Sequence, residues 1–197
     1  MARRRDEAAF EAKRAEIRQA AAALFAEHGF HQAGVAAICA AVGMSPGALY
    51  RYYRSKTEII HAIVERDGLE SIALLDALDG ADEFSAALVE LLADWIVEVS
   101  DEGYAKLAIE IAAESYRDPE IAAVLTRAIN DVTARVALAL DRARGRGQIA
   151  AEVDSEATAR VLVSLVDGAM GGGSALAALP RPRLRVTLGR LVAGLVG

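Results

Sequence analysis

The chain has 197 residues, of which 54% are hydrophobic and only 5% aromatic, and its formal net charge is −6. Abundant Ala and Leu favour helix over sheet, so the composition predicts an all-α protein. The single cysteine, Cys39, excludes an intrachain disulfide. No stretch has the character of a membrane span or of a signal peptide, so we expect a cytoplasmic protein without a membrane partner.

Charge is distributed unevenly along the chain. The first 66 residues carry a net charge of +3, and the remainder carries −9. A basic front and an acidic remainder suggest that only the front contacts phosphate, although both could equally be ordinary solvated surfaces.

Helical periodicity begins near the N-terminus, where a first apolar stripe consists of Phe10, Ile17, Leu24 and Phe25. Gly29 is well placed to end this helix. A short helix over Val35–Ala41 follows and closes at Gly43. Ser45 is then a good N-cap, and Pro46 fits the first position of the next helix.

Longer helices follow. Ser55 and Glu58 form the pattern of a capping box, and the buried face after it consists of Ile59, Ile60, Ile63 and Val64. Another stripe consists of Phe84, Leu88, Leu91, Trp95 and Val99. Asp118-Pro119 marks a break and a fresh start. The helix that begins there has apolar residues at intervals of three and four up to Leu140, and it ends at Gly145 and Gly147.

The last two predicted helices carry more apolar surface than one monomer needs. One begins near Asp154, is apolar nearly all round and ends in the glycine run 171–173, and the other follows Pro182. We expect them to build a two-fold dimer interface, although both could instead close the monomer's own core. The predicted interface residues are Val161, Leu162, Leu165, Leu184, Leu188, Leu191 and Leu195.

Two short helices joined at Gly43 predict a helix-turn-helix, whose second helix offers its N-terminal face to a DNA major groove. The predicted DNA-binding residues are Gly34, Ser45, Pro46, Gly47, Ala48, Tyr50, Arg51, Tyr52 and Lys56. Arg51 is suited to bidentate contact with a guanine edge. Tyr50, Tyr52 and Lys56 suit phosphate contacts, which set register without reading sequence.

This part of the chain resembles the N-terminal domain of TetR-family regulators. The resemblance rests on Phe25-Ala-Glu-His-Gly29-Phe30 and on Gly43-Met-Ser-Pro-Gly-Ala-Leu-Tyr-Arg-Tyr-Tyr-Arg-Ser-Lys56, followed by Ile59 and Ile60. It implies about nine helices, with a three-helix DNA-binding domain over residues 1–54 and a larger ligand-binding and dimerisation domain over 55–197. It also implies a homodimer that represses from a palindromic operator until a small molecule binds.

The chain departs from this family pattern at several positions where members often carry polar side chains. They are Ala33, Gly34, Ala36, Pro46 and Ala48. The alternative function is therefore a small-molecule-binding or protein-interaction module whose DNA face has decayed. The run Arg3-Arg4-Arg5 is either a flexible arm that adds DNA contacts or a solvated tail.

The resemblance implies an effector pocket within residues 82–171. Candidate lining residues are Leu91, Trp95, Tyr104, Ile111, Ser115, Val132, Val136, Asp167 and Met170, and each could instead be ordinary core packing. Small apolar side chains predominate there, which suggests a lipophilic or aromatic effector. Asp167 needs a partner on its apolar helix: it could pair with Arg135, cap a neighbouring helix or face a ligand amine.

No catalytic pattern is present in the sequence. A phosphate loop, metal-ligand spacing and a paired nucleophile and base are all missing, so we expect no enzymatic activity, no catalytic or metal-binding residue and no cofactor.

Overall fold

The structure is a computed structural model that describes residues 2–170, 176 and 178–197, with side chains from residue 7 onward. Within these ranges the chain forms nine α-helices and no strand, which confirms the all-α prediction. The helices are α1 (Ala2–His28), α2 (Val35–Ala41), α3 (Pro46–Leu49), α4 (Lys56–Leu74), α5 (Phe84–Val99), α6 (Glu102–Ser115), α7 (Pro119–Gly145), α8 (Ser155–Asp167) and α9 (Arg181–Val196). None of the described helices combines the length and apolar character needed to cross a membrane.

Two glycines in the left-handed conformation shape the N-terminal helices. Gly29 ends α1 with a φ of +77°, and Gly43 follows α2 with a φ of +62°. Residues with a Cβ rarely adopt this conformation, so glycine at both positions allows the chain to turn without strain. Both predicted helix ends are confirmed, and α2 has the predicted bounds.

The two predicted serine caps are also present. Ser45 Oγ accepts a hydrogen bond from the Ala48 N–H at 3.3 Å, and Ser55 Oγ accepts one from the Glu58 N–H at 3.0 Å. The capping box differs from the expected pattern in one detail. The Glu58 carboxylate accepts from the Arg54 N–H at 2.5 Å, one residue before the cap.

Later helix boundaries follow local signals as well. Asp118 Oδ1 accepts from the Glu120 N–H at 2.9 Å at the start of α7, and Asp154 Oδ1 accepts from the Ala157 N–H at 3.0 Å at the start of α8. α8 already ends at Asp167. The glycine run 171–173, which is predicted to end it, lies outside the described residues.

The chain divides into two compact units. The first comprises the chain up to Arg66 together with Lys106–Leu125, and the second comprises Asp67–Ala105 with Thr126–Gly197. This division differs from the boundary predicted between residues 54 and 55. A hydrogen bond from the Phe30 N–H to Glu110 in α6 accounts for part of the grouping in the first unit. The predicted domain boundary itself stays a prediction.

In the second unit, α9 packs along α5. The buried face of α9 repeats every four residues and consists of Leu184, Leu188, Val192 and Val196. The facing part of α5 includes Leu88, Leu92 and Ile96, each of which is at most 2% exposed. Each helix thus covers the apolar stripe of the other. Exposure of either stripe to water would cost free energy.

Three residues predicted for the dimer interface belong to this core instead. Leu162, Leu184 and Leu188 are 1–2% exposed in the single chain. For these three, closure of the monomer's own core is the correct alternative, because their helix faces already pack within the unit. The other predicted interface residues keep some exposed surface, and they are Val161, Leu165, Leu191 and Leu195.

A charged network ties the segment after α4 to α7. Asp79 Oδ2 accepts hydrogen bonds from Arg135 Nη2 at 2.8 Å and from Arg142 Nη1 at 2.5 Å. Arg146 Nη1 donates to the Asp79 carbonyl at 2.9 Å. Desolvation alone would raise the pKa of Asp79, but the hydrogen bond from Arg142 and the charges of both arginines outweigh it and lower that pKa.

We expect Asp79→Asn to lower the free energy of unfolding by about 2 kcal/mol near neutral pH, because two charge-assisted hydrogen bonds are weakened. The lowered pKa means that the carboxylate stabilises the fold above its ordinary value of 3.8, and that this contribution is lost as the pH falls through the folded-state pKa. Urea unfolding at about pH 7 and about pH 3 measures both effects. Asp131→Asn, at an exposed position of α7, is the control. A deficit in Asp79→Asn that is the same at both pH values would contradict this assignment.

Candidate functional site

The segment from α2 to α3 forms a helix-turn-helix. Its apolar side chains are buried or half-buried, and they are Val35, Ile38, Val42, Met44 and Leu49. The Met44 N–H donates to the Cys39 carbonyl at 2.9 Å and closes the turn. α3 is only four residues long, and Tyr50 and Arg51 continue as hydrogen-bonded turns rather than as helix. Buried apolar contacts and a hydrogen-bonded turn therefore hold α3 in place, although the helix itself is short.

The predicted base-reading surface is largely open to solvent. Ser45, Pro46, Gly47 and Arg51 are exposed, whereas Ala48 is half-buried. Because the Ser45 hydroxyl oxygen accepts the Ala48 N–H, its proton remains free to donate. Arg51 forms no ion pair within the described part of the chain. Its guanidinium is therefore available to an external acceptor.

Two tyrosines anchor the segment after α3. Tyr53 is 1% exposed, and its hydroxyl donates to the Arg14 carbonyl at 3.1 Å. Tyr52 is half-buried and stacks on Phe10, with ring centroids 4.8 Å apart. Tyr50 is 51% exposed. Helix α1 thus holds Tyr52 and Tyr53, and Tyr50 is the most exposed of these three tyrosines.

Lys56 has a role within the chain that sequence reasoning missed. Its ammonium donates to the carbonyls of Phe30 and, at 3.1 Å, Ala33, and it lies 4.2 Å from the centre of the Phe30 ring. Burial lowers the pKa of Lys56, and the charge of Glu114 opposes that shift. Since two of its three N–H donors are used here, the phosphate contact of Lys56 stays a prediction for the third.

The exposed face of α2 carries no polar side chain. Gly34 is the exposed N-cap of α2, and its position carries no side-chain cap hydrogen bond. Ala36, Ala37 and Ala40 are exposed on the helix that follows. The backbone of residues 3–5 belongs to α1, whereas the side chains of Arg3, Arg4 and Arg5, predicted as an arm or tail, lie outside the described residues.

Seven of the nine residues predicted for an effector site lie in the second unit, and they are Leu91, Trp95, Tyr104, Val132, Val136, Asp167 and Met170. Three of these are buried in its apolar core, and three more pack against that core. Ile111 and Ser115 belong to the first unit. The structure therefore does not group these two with the other seven.

A polar pair lies beside this core. The Tyr104 hydroxyl donates to Asp67 Oδ2 at 2.7 Å. Burial raises the pKa of Asp67; the hydrogen bond from Tyr104 opposes the shift, whereas the charges of Glu70 and Glu98 add to it. Burial also raises the pKa of Tyr104, and the charge of Asp67 reinforces this. The pair therefore places one hydroxyl and one carboxyl of raised pKa beside apolar side chains.

Asp167 lies at the end of α8. It keeps solvent exposure, but neighbouring protein removes part of its hydration and raises its pKa. The suggested pairing with Arg135 is wrong, because that guanidinium binds Asp76 at 2.9 Å and Asp79 at 2.8 Å. A role of Asp167 at a helix end or toward a ligand stays a prediction.

Acidic residues on buried helix faces were missed from sequence alone. Asp67 follows Ile60 and Val64 at helical spacing on α4, and Glu114 follows buried Ile111 on α6 and is itself only 6% exposed. A carboxylate that falls on an apolar stripe is the signal that could have identified both, because such a group needs a partner.

Comparisons with known proteins match both parts of the chain. Residues 17–63 match the family described as bacterial regulatory proteins, tetR family, and residues 81–168 match the family described as tetracyclin repressor-like, C-terminal domain. The first match covers the helix-turn-helix together with the second half of α1 and the start of α4. The second covers the helices that carry most of the predicted effector residues.

Relatives and solved structures agree with these matches. The HTH-type transcriptional regulator UidR of Escherichia coli is 32% identical over 160 residues, which are 80% of this chain and 79% of UidR. Salmonella enterica GusR is similar in structure, with a TM-score of 0.81, 30% identity and coverage of 93% and 94% of the two chains. SmeT in its triclosan complex gives a TM-score of 0.76 at 26% identity, covering 94% and 91%. The chain belongs to the TetR family of bacterial transcriptional regulators.

Proposed function

We propose that this protein is a cytoplasmic repressor that binds a palindromic operator as a homodimer and releases it when a small molecule binds. The observation that carries the proposal is the helix-turn-helix, whose buried contacts and capped α3 present Ser45, Pro46, Gly47 and Arg51 to solvent. A recognition segment held in this way can enter a major groove without first becoming ordered.

A homodimer gives the two recognition segments the spacing of successive major grooves, about 34–36 Å. Exposed apolar residues on α8 and α9 support this assembly. Val161 is 50% exposed and Leu191 is 38% exposed, whereas the opposite faces of both helices are buried in the chain's own core. A second copy of the same two helices would cover this surface symmetrically.

The effector is, in this proposal, lipophilic or aromatic. Trp95 and its neighbours supply apolar contacts, and the Tyr104–Asp67 pair supplies a hydroxyl and a carboxyl for orientation. The triclosan complex of SmeT, at 26% identity, is consistent with an aromatic ligand in a related protein. Binding shifts the dimer toward a form whose recognition segments no longer fit the operator.

The alternative is a ligand-binding or protein-interaction module with a decayed DNA face. The exposed surface of α2 favours it, because Gly34, Ala36, Ala37 and Ala40 offer no side-chain hydrogen bond to DNA. The two functions differ in one measurable property. Only the repressor binds DNA site-specifically.

Fluorescence anisotropy with duplexes that flank the protein's own gene tests the proposal. We expect a saturable, salt-sensitive complex with one palindromic fragment and at least about 10³-fold weaker binding to a scrambled duplex of equal length. An effector screen follows the fluorescence of Trp95, the chain's only tryptophan. A compound that changes this signal should also dissociate the operator complex, and Tyr104→Phe should weaken its binding. Equal affinity for all duplexes would support the alternative function.

A further inference from the structure

The loop that joins α1 to α2 is fixed at Phe30. The Phe30 N–H donates to Glu110 Oε2 at 3.1 Å, and the Phe30 carbonyl accepts a hydrogen bond from the Lys56 ammonium. The Phe30 ring is buried and packs edge-on against Phe25, with centroids 5.3 Å apart. Both the backbone and the side chain of Phe30 are thus fixed by contacts, four residues before the N-cap of α2 at Gly34.

The carboxylate that holds this loop comes from α6, eighty residues further along the chain and in the same compact unit. A Cβ on Gly29 would lie 3.2 Å from Glu110 Oε2, so glycine lets the carboxylate approach closely. One turn further along α6, Glu114 Oε2 lies 3.0 Å from His31 Nε2. Two acidic side chains at i and i+4 therefore contact two successive residues of the loop.

Glu110 is not a core residue. It is half-buried and borders an open surface cavity of about 450 Å³, whose lining also includes His31 and Gln32. Because the Glu110 carboxylate is within reach of water, losing its bond to Phe30 leaves no unpaired charge in the core. The bond from Phe30 to Glu110 therefore selects a loop conformation more than it stabilises the folded unit.

We propose that Glu110 is a positioning residue for operator binding: its carboxylate holds the Phe30 amide and so fixes the loop that leads into the helix-turn-helix. The inference rests on the proposed DNA-binding function. Without this bond the loop samples other conformations, and DNA binding must then select the competent one. The predicted consequence is weaker operator binding without loss of fold.

The test compares Glu110→Ala with Glu110→Gln in the full chain, using anisotropy with the wild-type operator fragment. Glu110→Ala should bind about tenfold more weakly, with an unchanged urea midpoint. Glutamine retains an oxygen acceptor of the same reach, so Glu110→Gln should recover most of the affinity. Glu120→Ala, an exposed position at the start of α7, removes the same charge in the same unit and should bind as the wild type does.

Amide hydrogen exchange at Phe30 provides a readout that needs no DNA. It should be faster in Glu110→Ala than in the wild type and unchanged in Glu120→Ala. The proposal is overturned by unchanged exchange at Phe30, by wild-type operator affinity in Glu110→Ala, or by failure of glutamine to restore binding. A wild type that binds no flanking duplex overturns the repressor assignment instead, and Phe30 exchange then still decides whether Glu110 holds the loop.

Discussion

Arg51→Ala is expected to weaken operator binding by at least about 30-fold while leaving the urea midpoint unchanged. A bidentate contact between arginine and guanine contributes about 1–3 kcal/mol of discrimination, and a dimer makes that contact twice. Because the side chain is exposed and unpaired within the described residues, its removal should change stability by less than about 0.5 kcal/mol. Anisotropy titrations over a range of salt concentrations measure the effect.

The control for lost charge is Arg127→Ala, an exposed arginine of α7. It should bind as the wild type does. A base-reading role further requires that Arg51→Ala no longer distinguishes the operator from a fragment with its guanines exchanged for adenines. If the variant loses affinity equally for every duplex, Arg51 contacts phosphate and the base-reading assignment is wrong.

Val161→Asp is expected to convert the homodimer to a monomer without unfolding the chain. Val161 is 50% exposed on one face of α8, and the opposite face of this helix is buried in the core. In the proposed interface each copy would bury an unpaired carboxylate, which costs about 3–5 kcal/mol and raises the dimer dissociation constant by at least about 100-fold. Sedimentation velocity measures the mass, and circular dichroism measures the retained helix.

The chain offers a close control for this substitution. Val97 on α5 is also 50% exposed, so Val97→Asp makes the same chemical change at equal exposure. It should remain a dimer. Operator affinity should fall with dimerisation, because one recognition segment alone reaches a single half-site. A Val161→Asp variant that sediments as a dimer would remove α8 from the interface.

Local signals predicted most of the fold. Gly29, Gly43, Ser45 and Asp154 end or begin helices through contacts within four residues, so the sequence around each one carries the required information. The same reasoning located the helix-turn-helix, since its turn and caps are local. It did not predict that α3 would contain only four residues, because competing turns after Leu49 have similar local preferences.

Contacts between distant residues could not be read in the same way. Leu188 and Leu191 lie three residues apart on α9, yet one is 2% exposed and the other 38%. Periodicity marks both as apolar but does not say which neighbour covers each. The same limit explains Lys56 and Glu110, whose partners in the loop after α1 are 26 and 80 residues away. In the candidate site, the sequence identified the exposed residues of the DNA-binding surface. It did not identify Lys56 and Glu110 as the side chains that hold the loop after α1.

The exposed surface of α3 has a chemical consequence for the DNA it recognises. The side chain of exposed Pro46 consists only of carbon and hydrogen, and half-buried Ala48 adds a methyl group. In the major groove such groups contact the C5 methyl of thymine, the group that 5-methylcytosine also carries. A position of the operator read in this way is recognised by its methyl group rather than by its hydrogen bonds. A 5-methylcytosine at that position would then offer the methyl contact that an unmodified cytosine lacks.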